Sequence, residues 1–256
     1  FGDNVYVYHR DAWDAEMTIL AECEYHMKGG ALGSSFDEKA ELWAAMAKAY
    51  ISKMVRNGLV CISQEQKEAI YGIMKHSLSC LKGGPGCGKT SVMSILRKTW
   101  VAVTGGSVMM LAPTGRATKR LQDATEYDEV QTIARCLTIH MVHHDEDDKG
   151  KLYGVNDFGS PHFNNAPTTL IVVDEASMVN EMEAAALLVL FHNCHIVFVG
   201  DVNQLPPIEP GPFFHELIES GVIPVMELTE NHRVDVPELG ENADKILDGN
   251  TKLHLT

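Results

Sequence analysis

Gly83-Gly84-Pro85-Gly86-Cys87-Gly88-Lys89-Thr90, with Ser91 next in line, fits the pattern G-x-x-x-x-G-K-[ST] in full. The chemistry open to such a run is phosphate binding. Glycines let backbone N–H groups converge on phosphate oxygens without a side-chain clash, and a helix N-terminus behind them adds a favourable dipole. Lys89 is then placed to reach the terminal phosphates of ATP, and the Thr90 hydroxyl to coordinate Mg²⁺. A Gly-rich strand-to-helix turn without function explains the glycines but not the Lys-Thr pair. A second group of residues lies downstream, where Leu170-Ile171-Val172-Val173 runs into Asp174-Glu175. At the end of a buried strand, Asp174 can hold Mg²⁺ while Glu175 orients and deprotonates an attacking water. An acidic strand end is common by itself, and only the P-loop upstream makes an ATPase of it. The third group is Gly200-Asp201-Val202-Asn203-Gln204-Leu205-Pro206-Pro207. Its prolines fix the backbone, so Gln204 is presented from a stiff loop. A plain turn accounts for Gly, Asp and Pro there and leaves Gln204 unexplained.

The elements that must position these groups alternate. Short apolar runs at Ser77–Leu81, Ser107–Ala112, Thr169–Val173, His195–Val199 and Val222–Leu228 read as strands, with helices near 63–76, 88–102, 115–124 and 180–191. Strand–helix alternation of this kind predicts an α/β fold with a parallel sheet covered on both faces. Upstream, apolar residues recur at helical spacing around Trp13, Met17 and Leu20, then around Leu42, Met46 and Tyr50. They predict a small helical N-terminal module over 1–60, for which packing on the next domain is a sufficient role.

Composition sets the outer bounds. The chain has 256 residues, 45% hydrophobic and 22% charged, which excludes collagenous, low-complexity and wholly disordered classes. No run approaches the roughly 20 apolar residues of a membrane span, and no signal peptide precedes the helices, so no membrane partner is expected. Six cysteines stand singly without CxxC pairs. Reduced thiols and a cytoplasmic location follow as the expectation. The net charge of -14 speaks against a nucleic-acid partner at first sight, but residues 63–137 carry 10 basic against 6 acidic side chains. A local positive block can still meet phosphate, because fields are screened within about 8–10 Å.

The motifs together resemble the superfamily 1 DNA helicases, in their RecD/TraA branch. Gly83–Thr90, Ala112-Pro113-Thr114-Gly115-Arg116-Ala117, Asp174-Glu175-Ala176-Ser177 and Gly200–Pro207 stand in that family's order and wording, over about Ile62 to Thr256. The resemblance implies a RecA-like P-loop ATPase over 61–235 and an ATP-dependent helicase activity of 5′-to-3′ polarity. It implies that Gln66, in Ser63-Gln64-Glu65-Gln66, reads adenine, although Ser63 and Gln66 also suit a capping box. It implies that Pro113, Thr114 and Gly115 grip single-stranded DNA, with Arg116, Lys119 and Arg120 adding positive charge. Thr138-Ile139-His140 resembles a second DNA-contacting element, and Thr132-Ile133 is a competing placement. Gln204 is implied to sense the terminal phosphate, and Arg233 to stabilise the transferring phosphate. Val234 stands where the family has Gln, and Cys87 where it often has Thr or Ser.

After Arg233 the sequence resembles none of the family's later motifs, so 236–256 is expected to begin the connection to a second RecA-like domain. Further implied partners are the duplex junction and recombination or repair subunits. Between His140 and the Asp-Glu strand lies 141–167, where the family inserts a small strand-separating hairpin. Here that segment holds His143, His144 and the acidic run Asp145–Asp148. Its histidines and carboxylates have no spacing that encloses a metal, and a solvated loop is the competing reading. Two other function classes fit a P-loop: a small-molecule kinase and a nucleotide-switched DNA-binding module without hydrolysis. The Asp-Glu-Ala-Ser and Gly-Asp-x-x-Gln elements oppose the first, and intact Lys89, Asp174, Glu175 and Gln204 oppose the second.

Overall fold

A computed structural model describes residues 9–142, 154–155, 166–208 and 211–231. The central sheet runs β3-β2-β6-β7-β1-β8, parallel throughout. Its strands are β1 (Leu78–Gly83), β2 (Val108–Ala112), β3 (Val130–Thr132), β6 (Leu170–Val173), β7 (His195–Gly200) and β8 (Val225–Leu228). Every residue of β6 and β7 is buried, as the apolar runs Leu170–Val173 and Ile196–Val199 require when helices cover both faces. The α/β reading and its five strands are therefore present. The three-residue β3 is an addition that its short, polar sequence does not announce. A separate antiparallel ribbon pairs β4 (Met141–Val142) with β5 (Gly154–Val155), Met141 opposite Val155.

One core lies on each side of the sheet. On one side, α1 (Arg10–Met27), α6 (Ile133–His140), α7 (Glu181–Leu190) and α8 (Phe213–Ser220) enclose Ile171, Val173, Ile196 and Phe198. On the other, α2 (Phe36–Arg56), α3 (Gln64–Met74), α4 (Lys89–Thr104) and α5 (Gly115–Thr125) enclose Leu81, Val172, Val197 and Val199. The two N-terminal helices thus join opposite layers, α1 against α7 and α2 against α3 and α4. His26, near the end of α1, holds the Ser77 hydroxyl at 2.6 Å just before β1.

The expected N-terminal helices are present, but the residues taken as their apolar stripe face outward. Trp13, Met17, Leu20, Leu42 and Met46 are all more than two-fifths exposed. The buried stripe of α1 is Ala15, Ile19, Cys23 and His26, and that of α2 includes Ala40, Trp43, Ala47 and Ile51. On α1 the inward residues are small because α7 offers Ala184, Ala185 and Ala186 in the same core, whereas α2 turns Trp43 and Ile51 inward against the other face of the sheet. Periodicity found the helices and hydrophobic size misjudged the face.

Candidate active site

Four parallel strands end at the same edge of the sheet, and each hands the chain to one of the motifs. The register sets Lys82 beside Gly200, Leu111 beside Val173 and Ala112 beside Thr132. In a parallel α/β sheet this carboxyl edge is where ligands bind. A cleft of about 330 Å³ opens there, lined by Gly84 to Gly86, Gly88 to Ser91, Asp174, Glu175 and Gln204, and also by Arg120.

The P-loop leaves β1 and winds into α4. Gly88 takes φ +81° as the N-cap of α4, a left-handed conformation that a side chain at this position would strain. Cys87 is buried beneath the loop, and burial, the largest influence, raises its thiol pKa. Lys89 opens α4, and its Nζ donates to the Gly83 carbonyl and, at 3.0 Å, to the Gly84 carbonyl. The lysine is folded onto its own loop. Gln66 is buried in a complete capping box: its amide oxygen accepts from the Ser63 N–H at 3.1 Å, and its Nε2 reaches the Cys87 carbonyl at 3.5 Å. One N–H of Nε2 and one lone pair of Oε1 are not used by these two bonds.

Asp174 is 5% exposed, and its N–H donates to the Leu111 carbonyl at 2.8 Å. Burial, seconded by the neighbouring Glu175 carboxylate, pushes the Asp174 pKa up to about 6. Glu175 sits at φ +53°, one of two non-glycine residues with positive φ among the described residues. Such backbone persists where surrounding structure enforces it, and functional sites are where it collects. The Glu175 carboxylate forms an ion pair with the Arg120 guanidinium from α5. Thr90 and Asp174 line one cleft and offer the hard oxygen donors that Mg²⁺ takes, with phosphate oxygens and water to complete six ligands. No cluster of three His, Cys, Asp or Glu side chains suited to a metal occurs among the described residues.

Gln204 is exposed on the loop after β7, which Asp201 braces by accepting from the Gln204 and Asn203 N–H groups at 3.1 and 2.9 Å. It lines the nucleotide cleft and also a neighbouring groove of about 800 Å³ with Pro113, Thr114, Leu205, Pro206 and Pro207. Thr114 caps α5, accepting from the Ala117 N–H at 3.2 Å, with Gly115 as the first helical residue. Of the three cations on α5, Lys119 pairs with Asp123 at 3.0 Å and Arg120 with Glu175. Arg116 is exposed and has no ion-pair partner among the described residues. Thr132 ends β3 on the carboxyl edge, where its hydroxyl accepts from the Arg135 N–H at 3.2 Å. Thr138 lies further along α6 and bonds back to the Ala134 carbonyl at 2.8 Å. His140 closes α6. Arg233, His143, His144, Asp145–Asp148 and all of 236–256 lie outside the described residues.

The AAA domain family matches residues 61–256. The chain belongs to that family, in its RecD-like superfamily 1 branch. It is 30% identical over 184 residues to the ATP-dependent RecD2 DNA helicase of Deinococcus radiodurans, covering 72% of this chain and 23% of that protein. It is 33% identical over 192 residues to the RecBCD enzyme subunit RecD of Mycolicibacterium smegmatis, covering 66% of this chain and 33% of that one. The ATP-dependent DNA helicase dda of Enterobacteria phage T4 is 27% identical over 212 residues, with coverages of 73% and 45%. The chain therefore spans less than half the length of each of these relatives. A solved structure of Pif1 helicases at forked dsDNA aligns over 73% of this chain and 48% of its own, at 19% identity and a TM-score of 0.50, a likeness of fold. No helix of this AAA domain, among the described residues, is long and apolar enough to cross a membrane.

Two features of the site lay outside the motif reading. Arg120 lines the nucleotide cleft instead of only adding charge to the DNA-gripping element. Glu65 accepts from the Thr229 N–H and hydroxyl and from the Glu230 N–H at 2.7–3.1 Å, tying the end of β8 to the first turn of α3. Neither pairing leaves a local signal in sequence.

Proposed function

We propose that this domain is the ATP-hydrolysing first motor domain of a DNA helicase that moves 5′ to 3′ on single-stranded DNA. One observation carries the reading: Gln204 lines the cleft of Lys89, Thr90, Asp174 and Glu175 and, on its other side, the groove of Pro113 and Thr114. A side chain shared by two sites is the kind of element through which nucleotide state and DNA grip influence each other.

In this reading ATP draws Lys89 off the Gly83 and Gly84 carbonyls, and its ammonium meets the charge that develops on the transferring phosphoryl group. Thr90 and Asp174 would hold Mg²⁺, which would supply charge neutralisation to the phosphates. A pKa near 6 describes Asp174 without that cation, which favours the ionised form. Glu175 takes the proton of the attacking water at its carboxylate, and Gln204 responds to loss of the terminal phosphate. By family resemblance, Arg233 adds positive charge and a second RecA-like domain closes over the nucleotide. Gln66 holds the P-loop through the Cys87 carbonyl and meets adenine with the donor and acceptor that its two bonds leave over. Pro113, Thr114, Gly115 and Arg116 grip the strand, with Thr132 favoured over Thr138 because it shares the carboxyl edge with Ala112. The ribbon of β4 and β5 is the base of the strand-separating hairpin at the duplex junction. Involvement with recombination or repair subunits follows from the RecD-type relatives.

The test is ATP turnover and unwinding by the intact protein on forks with a 5′ or a 3′ single-stranded tail. The 5′-tailed fork should be unwound, and Lys89→Ala should abolish both activities. Preference for the 3′ tail refutes the polarity, and full turnover in Lys89→Ala refutes the site.

A further inference from the structure

The Arg120–Glu175 ion pair has no part in the hydrolytic steps above, yet it occupies the residue on which they turn. Its partners come from two motifs 55 residues apart. Glu175 follows the catalytic strand β6, and Arg120 lies on α5, the helix whose N-cap is Thr114. We propose that this pair restrains hydrolysis, and that single-stranded DNA releases it by drawing Arg120 away. The proposal rests on Glu175 being the base that activates water.

Three observations carry it. A carboxylate whose oxygen is committed to a guanidinium is not free to accept the proton of a water. The αL backbone of Glu175 fixes where its side chain starts, and Arg120 and Glu175 line the same cleft, so loss of the pair leaves the carboxylate facing the nucleotide site. The second observation is accessibility. The Arg120 side chain is 64% exposed against 13% for Glu175, so a ligand arriving from solvent reaches the arginine first. The third is spacing. Arg116 and Arg120 stand one helical turn apart on the same face of α5. Arg120 lies six residues beyond Thr114, about 9 Å along the axis at 1.5 Å per residue. A strand held at Thr114 and Arg116 brings its next phosphate within reach of Arg120. A guanidinium turned toward that phosphate gives up Glu175, and linkage makes the competition reciprocal. Arg120 is thus a positioning residue acting through Glu175.

The experiment compares ATP turnover by the intact wild type, Arg120→Ala and Arg120→Lys, without DNA and with saturating oligo-dT. In Arg120→Ala the DNA-free kcat should rise about 3- to 10-fold, the worth of a partly exposed charge-assisted pair, while the DNA-saturated kcat stays within about twofold of wild type. The stimulation ratio then falls by the same factor, and Arg120→Lys should keep an intermediate ratio. Raising ionic strength from about 0.05 to 0.3 M should raise the DNA-free rate of wild type and leave that of Arg120→Ala unmoved, a response that a merely structural role does not give. A DNA-free rate in Arg120→Ala at or below wild type, with the stimulation ratio kept, overturns the restraint and leaves the function standing. A wild type without ATP turnover in either condition overturns both.

Discussion

Protonating His26 should destabilise this fold in a way that one substitution isolates. His26 is buried, bonded to the Ser77 hydroxyl, and feels the charge of His192, which is itself paired with Glu22 at 2.7 Å. Burial first, then the proximity of His192, lowers the His26 pKa from 6.5 to about 4. A base whose folded pKa is lowered binds its proton more readily in the unfolded chain. Its contribution to stability is therefore complete above about pH 6.5 and lost as pH falls toward 4. At pH 5 the unfolded side chain is almost fully protonated and the folded one almost neutral, a difference of about 1.5 units or 2 kcal/mol. Glu181, pushed up to about 7 by burial and by Glu216, and Asp174, pushed up to about 6, favour the folded state over the same acid range. The absolute pH curve is therefore blunted, and the difference between two proteins is diagnostic. His26→Gln keeps a bond to Ser77 and cannot titrate. Urea unfolding followed by tryptophan fluorescence, at pH 8 and pH 5, should show the gap between variant and wild type shift by about 2 kcal/mol in the variant's favour. With an m-value of about 2–3 kcal/mol/M that is a relative midpoint shift of about 0.8 M. A gap that is the same at both pH values refutes a neutral, buried His26.

Single-strand affinity should depend on salt more through Arg116 than through Lys119, which is engaged with Asp123: Arg116→Ala should reduce the slope of log K against log salt by about 0.7, and Lys119→Ala by less. Equal slopes in wild type and Arg116→Ala would move the DNA track off α5. Gly106→Ala should destabilise the fold by about 2 kcal/mol or more, since a Cβ there lies 1.7 Å from the Thr168 carbonyl oxygen, which also accepts from the Trp100 indole at 2.8 Å. An unchanged denaturation midpoint contradicts that contact. Deleting 145–157 should abolish unwinding and spare DNA-stimulated ATP turnover, since it removes Tyr153, whose stacking on a base is worth about 1–3 kcal/mol, and the hairpin that would present Phe158. Unaffected unwinding makes that segment a loop only.

What the sequence carried clearly was whatever depends on neighbours along the chain. Leu170–Val173 and Ile196–Val199 are apolar without interruption, the pattern that a strand buried on both faces takes. Ser63 and Gln66 announced their capping box by a three-residue spacing, and the P-loop announced itself by glycines followed by Lys-Thr. Elements too short to repeat their period more than once or twice were silent: β3 has three residues, and α6 and α8 have eight each. The inward face of α1 was misread because close packing against alanines rewards Ala15 and Cys23 over Trp13 and Met17. Pairings between distant residues were also silent. Nothing near Arg120 indicates Glu175, and nothing near Glu65 indicates Thr229.

The central claim is that Glu175 activates water in a cleft where Lys89 and Thr90 receive ATP. Its most direct test is a side-by-side measurement on Glu175→Gln in the intact protein, with single-stranded DNA saturating. Gln keeps the size of the side chain and loses the base. ATP affinity should stay close to wild type while kcat falls by about 10²–10⁴-fold. Turnover equal to wild type in Glu175→Gln would contradict the account at its centre.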